Sequence, residues 1–214
     1  MSIVNRFTFN AFQENTYIIQ DEGSKKAIII DPGCHTVTER EEIMDHIEQK
    51  SLSIVAILNT HCHVDHVFGN AFLKRSFPDA PLCIHRGELP VLRTYPNFAA
   101  MYGLVGEPSP EPDQFLEGNE VFAFGDTTLQ IFLTPGHSPA SISFYNKEDQ
   151  YIIGGDVLFY QSIGRTDLPG GNYDTLIKSI NDHFLTLPDD TIVYSGHGPS
   201  TTIGAEKNQN PFLS

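Results

Sequence analysis

The chain has 214 residues, 40% of them apolar and 19% charged, which is long enough for a sizeable core and too apolar for a disordered segment. Its 27 acidic residues against 13 basic ones give a formal net charge of −14 and a pI near 4.9, a balance that repels a phosphate backbone and speaks against nucleic acid as a partner. No apolar run of about 18 residues is present to span a bilayer, and the N-terminus lacks the basic start and long apolar run of a signal peptide, so the expectation is a cytoplasmic protein with no membrane partner.

The first third reads as short strands, "IVNRFTF", "NTYIIQ" and "KAIIID", the last ending at Asp31-Pro32-Gly33. At Thr38 the period changes. "TEREEIMDHIEQK" carries a Ser/Thr-x-x-Glu capping box at Thr38 and Glu41 and an apolar stripe at Ile43, Met44 and Ile47, which predicts a helix packed on a sheet, with His46 at the surface. "SIVAILNT" is a buried strand, and a second helix is expected from near Asp65 to Pro78, followed by a strand at "PLCIH".

From Arg86 to Gly118 the pattern is irregular and "VGEPSPEPDQFLEGN" is rich in proline and acid, so this stretch reads as a surface connection between two halves. Strands follow at "EVFAF", "TTLQIFLT", "SISFY" and "QYIIGG". "YDTLIKSINDHFLTL" places Leu176, Ile180, Phe184 and Leu187 on one helical face, and "DTIVYSG" is a last buried strand. Two strand-rich halves with helices between strands fit two sheets packed together with helices outside.

Ligand-type side chains gather where these strands end. "NTHCHVDH" supplies His61, His63, Asp65 and His66 after one strand; His137, Asp156 and His197 each follow another, flanked by glycine. Five histidines and two aspartates exceed the four ligands of one tetrahedral zinc but suit two metals sharing a bridging carboxylate and water. The first metal is assigned His61, His63 and His137, the second Asp65, His66 and His197, and Asp156 the bridge. His61 and His63, two apart in an extended segment, share a side, whereas Asp65 and His66 turn the corner into a helix. Nitrogen and oxygen ligands without thiolate suit two divalent ions, zinc first, with iron and manganese as alternatives.

The cysteines, Cys34, Cys62 and Cys83, are odd in number and show no CxxC spacing, which suits a reducing compartment and buried thiols. Cys62 is expected to point away from His61 and His63 and pack inward.

"THCHVDH", "PGHSP", "GGD" and "GHG", in that order, resemble the metallo-β-lactamase superfamily and, within it, the short, single-domain bacterial glyoxalase II-like hydrolases. The likeness runs from Asp31 to His197 and extends to "FYQSIGRTDLPGG" and "NQNPFL". It implies an α+β four-layer αββα sandwich of two mixed sheets with helices outside, the metals lying at one edge between the sheets. It gives Asp31 a role in supporting the metal-site loops rather than ligating. It also implies a single domain over residues 1–214 without the C-terminal helical domain that grips glutathione in full-length glyoxalase II. A monomer or homodimer is expected. That family places a basic residue and then, two positions later, an aromatic one after the bridging aspartate; here Arg165 is followed by Asp167, which weakens the case for tight glutathione binding.

The implied activity is hydrolysis of a small-molecule thioester of the hydroxyacylglutathione type, such as S-lactoylglutathione. The nucleophile would be a metal-bridging hydroxide held at Asp156 and Asp65, since metal binding lowers the pKa of water from about 15.7 toward 7. Phe159, Tyr160 and Arg165 are the candidate substrate contacts. The main alternative is a persulfide dioxygenase with a single iron on His61, His137 and Asp156, a family that shares the "NTHCH-x-DH" and "GRTD" segments. Lactonase chemistry on the same scaffold and a non-catalytic metal-binding module rank below it.

Overall fold

A computed structural model describes residues 1–213. Its first sheet has six strands in the order β1 (Ser2–Phe9), β2 (Glu14–Asp21), β3 (Lys26–Ile30), β4 (Ser53–Leu58), β5 (Leu82–His85) and β6 (Gln114–Leu116). The β1–β2 and β2–β3 pairs are antiparallel and the remaining pairs parallel. The second sheet contains β7 (Val121–Phe124), β8 (Thr127–Leu133), β9 (Ile142–Asn146), β10 (Tyr151–Gly155), β13 (Ile192–Ser195) and β14 (Thr201–Thr202). Their spatial order is β14-β13-β10-β9-β8-β7, and only β10–β13 is parallel. β11 (Leu158–Phe159) and β12 (Ser162–Ile163) form a separate small hairpin. Both large sheets are mixed and helices lie outside them, the four-layer αββα sandwich the sequence implied.

Period-two alternation divides each buried strand between two cores. Tyr17, Ile19, Ile28, Ile30, Ala56 and Leu58 face inward and meet Leu129, Ile131, Phe144 and Ile153 of the second sheet. Their neighbours Ile18, Ile29 and Ile57 face outward onto Ile43 and Ile47 of α1 (Val37–Lys50) and Leu73 of α2 (Asn70–Ser76). On the opposite outer face, Tyr145, Ile152 and Val193 pack against Leu176 of α4 (Tyr173–Ser179) and Ile203 of α5 (Ile203–Gln209). A π-helical turn, Ile180–Phe184, continues α4 and supplies Ile180 and Phe184 to the same core, so the predicted stripe is buried as expected. With both faces covered, β2 is buried at every position.

Three expectations are corrected. The cap of α1 is Thr36 rather than Thr38: its hydroxyl accepts from the Glu39 N–H, and the Glu39 carboxylate accepts from the N–H groups of Thr36, His35 and Asn10. The sequence offers overlapping boxes two residues apart, and the long-range Asn10 contact selects the earlier one. The segment after Asp65 is a short 3₁₀ turn, Val64–His66, and α2 starts only at Asn70. The supposed connection from Arg86 to Gly118 contains α3 (Leu89–Met101) and β6. Pro96 masked α3, since an interior proline forfeits a helical hydrogen bond, whereas Pro90 sits in the first turn where none is lost; burial of Leu92, Tyr95 and Ala99 against Cys62, Val64 and Phe68 compensates. Cys34, Cys62 and Cys83 are free and buried. No helix among the described residues is long and apolar enough to cross a membrane.

Candidate metal centre

Four strands of the two sheets run out at one edge of the sandwich. His61 follows β4, His137 follows β8, Asp156 follows β10 and His197 follows β13, with Asp31 just after β3. At β10 the turn passes through Gly155 at φ 56°, where a Cβ would also sit 2.4 Å from Thr60 Oγ1. Gly196 allows a closer approach still, because a Cβ there would lie 2.1 Å from Asp156 Oδ1 and 2.8 Å from His66 Cε1.

The side chains collect into two groups. Ligand atoms of His61, His63 and His137 lie within 4.8 Å of one another, as do those of Asp65, His66 and His197. Asp156 stands between them: its Oδ2 is 3.5 Å from His137 Nε2 and 3.6 Å from His197 Nε2, and its Oδ1 is 3.5 Å from His66 Nε2. The structure thus brings together all seven residues proposed from the sequence.

The far side of three rings, those of His61, His137 and His197, is held by the protein, which leaves a chosen nitrogen facing the centre. His137 Nδ1 donates to the Arg165 carbonyl at 2.7 Å and His197 Nδ1 to the Phe12 carbonyl at 3.1 Å. His61 Nδ1 lies 3.0 Å from Thr60 Oγ1, and that hydroxyl gives its own proton to Asp31 at 2.6 Å, so the imidazole is the donor. Asp31 also accepts from the Thr60 N–H at 2.7 Å and lies 3.2 Å from His66 Nδ1. Asp31, His61 and His66 also cluster within ligand distance, and the Asp31 oxygens accept from the Thr60 hydroxyl and N–H.

Do these residues fit metal ions? His61 Nε2, His66 Nε2 and Asp156 Oδ1 are buried without a hydrogen-bond partner, and each such orphan costs about 1–3 kcal/mol unless something meets its lone pair. His63 Nδ1 and His137 Nε2 converge to 2.8 Å. Cations placed among these atoms would satisfy them together, so the donor set fits.

Burial, followed by the charge of neighbouring histidines, holds the His61 imidazole well below its ordinary pKa, and burial carries His63 down to about 3. His137 is lowered by burial too. In the other group burial acts in the same direction, but the Asp65 and Asp156 carboxylates outweigh it and raise His66; the hydrogen bond to Asp65 likewise raises His197. The two groups are therefore shifted in opposite directions, the first toward neutral imidazole and the second, beside its carboxylates, toward imidazolium.

Above the ligands lies a cavity of about 770 Å³, lined by His63, Asp65, His137, Asp156 and His197 and, of the expected substrate contacts, by Phe159 and Arg165. Tyr160 is half exposed and does not line it. Arg165 forks onto Asp167 at 2.7 Å through both Nε and a terminal nitrogen. Cys62 packs with Val64, Phe68 and Leu92.

Several supporting residues went unrecognised in the sequence. Glu88 is fully buried and accepts from the Cys62 N–H, the Ser138 hydroxyl and the Ala140 N–H. Asn15 and Tyr17 donate to the Ser195 carbonyl at 3.0 and 2.6 Å, and the Asn15 N–H reaches Gly196 O at 2.7 Å, which clamps the His197 loop. Glu14 lies fully buried beneath His66. In one sequence with 27 acidic residues, nothing marks Glu14 or Glu88 as buried.

The family model described as "Metallo-beta-lactamase superfamily" matches residues 9–197. A curated relative from Haemophilus influenzae, "Hydroxyacylglutathione hydrolase GloC", is 39% identical over 204 residues, 95% of this chain and 94% of that protein. Two solved structures superpose with a TM-score of 0.88. "BLEG-1 B3 metallo-beta-lactamase" is 38% identical, with 99% of this chain and 100% of that one covered. "TTHA1623 in a di-iron-bound form" is 36% identical, with 98% and 100% covered.

Proposed function

The chain belongs to the metallo-beta-lactamase superfamily, and from that premise we propose that it is a two-metal hydrolase of small-molecule thioesters. His61, His63 and His137 would hold one ion, Asp65, His66 and His197 the other, with Asp156 between them. Zinc is the first expectation, and the likeness to a di-iron-bound structure keeps iron in contention. When bound, such ions supply Lewis acidity and lower the pKa of water toward about 7.

The observation that carries the thioester assignment is what the cavity lacks. Among the described residues that line it, no carboxylate, histidine or lysine lies outside the histidine–aspartate cluster. An amine leaving group needs a proton donor, and beyond the ligands themselves the cavity offers only the Tyr95 and Tyr102 phenols and the buried Cys62 thiol, all weak acids at neutral pH. A thiolate, whose acid has a pKa of about 8.5, departs without one. The likeness to a hydroxyacylglutathione hydrolase points the same way.

Within the site, Arg165 fixes the His137 ring through its carbonyl, and Phe12 does the same for His197. Asp156 is buried and its carboxyl is held well below the usual range: burial alone would raise it, but His66, His197 and His137 outweigh burial, so it stays ionised between the two groups. Phe12, Phe98 and Phe159 give the cavity an apolar lining.

A second reading is a persulfide dioxygenase with one iron on His61, His137 and Asp156. It is supported by a likeness to "ETHE1 from Myxococcus xanthus", 25% identical with a TM-score of 0.78, and by the "GRTD" segment at Gly164 to Asp167. The presence of a second complete ligand group, Asp65, His66 and His197, favours the hydrolase. One experiment separates them: metals are quantified on protein isolated without added salts, and the same sample is assayed for thioester loss and for oxygen uptake on glutathione persulfide. Two ions with thioester loss support the hydrolase. One iron with persulfide-dependent oxygen uptake supports the dioxygenase.

A further inference from the structure

The cavity is largely apolar away from the ligands, and α3 supplies one of its walls. Pro90, Val91, Thr94, Phe98 and Tyr102 share one face of the helix and its C-cap, a strip of about 18 Å at 1.5 Å per residue. The helix buries its other face through Leu92, Tyr95 and Ala99. Along the strip, Val91 and Phe98 are half-buried while Pro90, Thr94 and Tyr102 are exposed. Across the cavity Phe12 meets Tyr102 edge-on, with ring centroids 5.1 Å apart.

The polar inventory of the same cavity is short. Arg165 is the one lysine or arginine among its described lining residues, and its charge is already paired by Asp167, which takes the Nε/Nη2 edge of the guanidinium. A carrier thiol with several carboxylates would meet one cation already paired, two ligand carboxylates and a chain of net charge −14. An uncharged acyl chain would instead cover apolar surface continuous with His63 and Asp65, at the site where hydrolysis would occur.

We infer that the site takes thioesters whose acyl group is apolar and lies along α3, on a carrier thiol of low negative charge. This rests on the thioester-hydrolase reading and narrows it to a substrate class. The strip runs toward Tyr102 and solvent, so chains of several carbons fit with the far end open. The hydroxyacyl group of S-lactoylglutathione would leave most of it uncovered.

The test uses the metal-loaded full chain and N-acetylcysteamine thioesters from acetyl to octanoyl, with S-lactoylglutathione in parallel and release of free thiol as the readout. Burial of each methylene is worth about 0.8 kcal/mol, so kcat/KM should rise roughly threefold to fourfold per methylene across the shorter members and exceed that for S-lactoylglutathione. Val91→Ser and Phe98→Ser should flatten that slope, with bound metal measured in each variant. Binding of the thioether S-octyl-N-acetylcysteamine to metal-free protein, followed by calorimetry, should show a negative heat-capacity change that Phe98→Ser diminishes. A flat chain-length profile, a preference for S-lactoylglutathione or a slope unmoved by both variants overturns the inference while leaving thioester hydrolysis standing. Absence of hydrolysis across the whole series overturns the hydrolase reading and the inference with it.

Discussion

Glu88 and Ser138 meet at 2.6 Å, the serine hydroxyl donating to a carboxylate with no exposed surface. The same carboxylate takes the Cys62 N–H at 3.0 Å through its second oxygen and the Ala140 N–H at 2.8 Å through its first. Cys62 lies between His61 and His63, and Ser138 follows His137. One buried side chain from the turn ahead of α3 thus ties together the two loops that carry the His61, His63 and His137 group.

That arrangement makes Glu88→Gln a severe change despite its shape. Each carboxylate oxygen accepts from a backbone N–H, and an amide offers one oxygen and one NH₂, so one backbone donor would face another donor. The variant should lose about 1–3 kcal/mol of stability and bind metal at the neighbouring group some 10- to 100-fold more weakly. Metal titration against a competing chelator measures it. Unchanged affinity at both sites would show that Glu88 serves packing alone.

Gly196→Ala places a methyl where Asp156 Oδ1 and His66 Cε1 already sit. It should lower bound metal and hydrolysis together while the fold, followed by circular dichroism, persists. Gly198→Ala is the contrast: the space beside it is open and its φ is +70°, so it should cost about 1 kcal/mol of backbone strain and leave metal content intact.

Acid should act on the metal centre first. Protons compete with metal for the ligands, so bound metal and activity should fall in parallel below roughly pH 6. In metal-free protein His63 is held at about 3 against an ordinary value near 6.5. The unfolded chain therefore takes up this proton before the folded one does. The contribution is complete above about 6.5 and is lost as pH falls toward 3. His63→Asn should flatten the pH dependence of the urea midpoint across that window, measured in chelator.

Asp21 fastens the other end of the sandwich. It accepts from the Ser24 hydroxyl and N–H, the Thr127 hydroxyl and the Asp126 N–H, joining the end of β2 to the β7–β8 turn. Those bonds, Ser24 first, bring its carboxyl down to about 2. A depressed carboxyl stabilises the fold above its unfolded pKa of about 3.9, and that support disappears as pH falls through about 2. Asp21→Asn should cost about 1–3 kcal/mol at neutral pH, read as a lower urea midpoint. Metal content should stay unchanged, because β2 places about 23 Å of strand between Asp21 and the metal edge at Glu14.

The sequence by itself carried the two-sheet pattern and the seven side chains of the centre. Buried strands declare themselves through local period and composition, and HxHxDH with three further strand-end ligands is a pattern of residue types. It also marked Cys62 as inward-facing, since alternation along an extended segment is local. What it left out depends on partners far away in the chain. Asn10 decides which threonine caps α1, burial against the metal loop outweighs the interior proline of α3, and Tyr160 turns outward while Arg165 spends its carbonyl on His137. Glu88 looks like any solvated acid until Ser138, fifty residues later, is folded against it. Hydrophobic periodicity is written in neighbours, whereas the hydrogen bonds that position this centre and the wall that shapes its cavity exist only once the two sheets and α3 have packed.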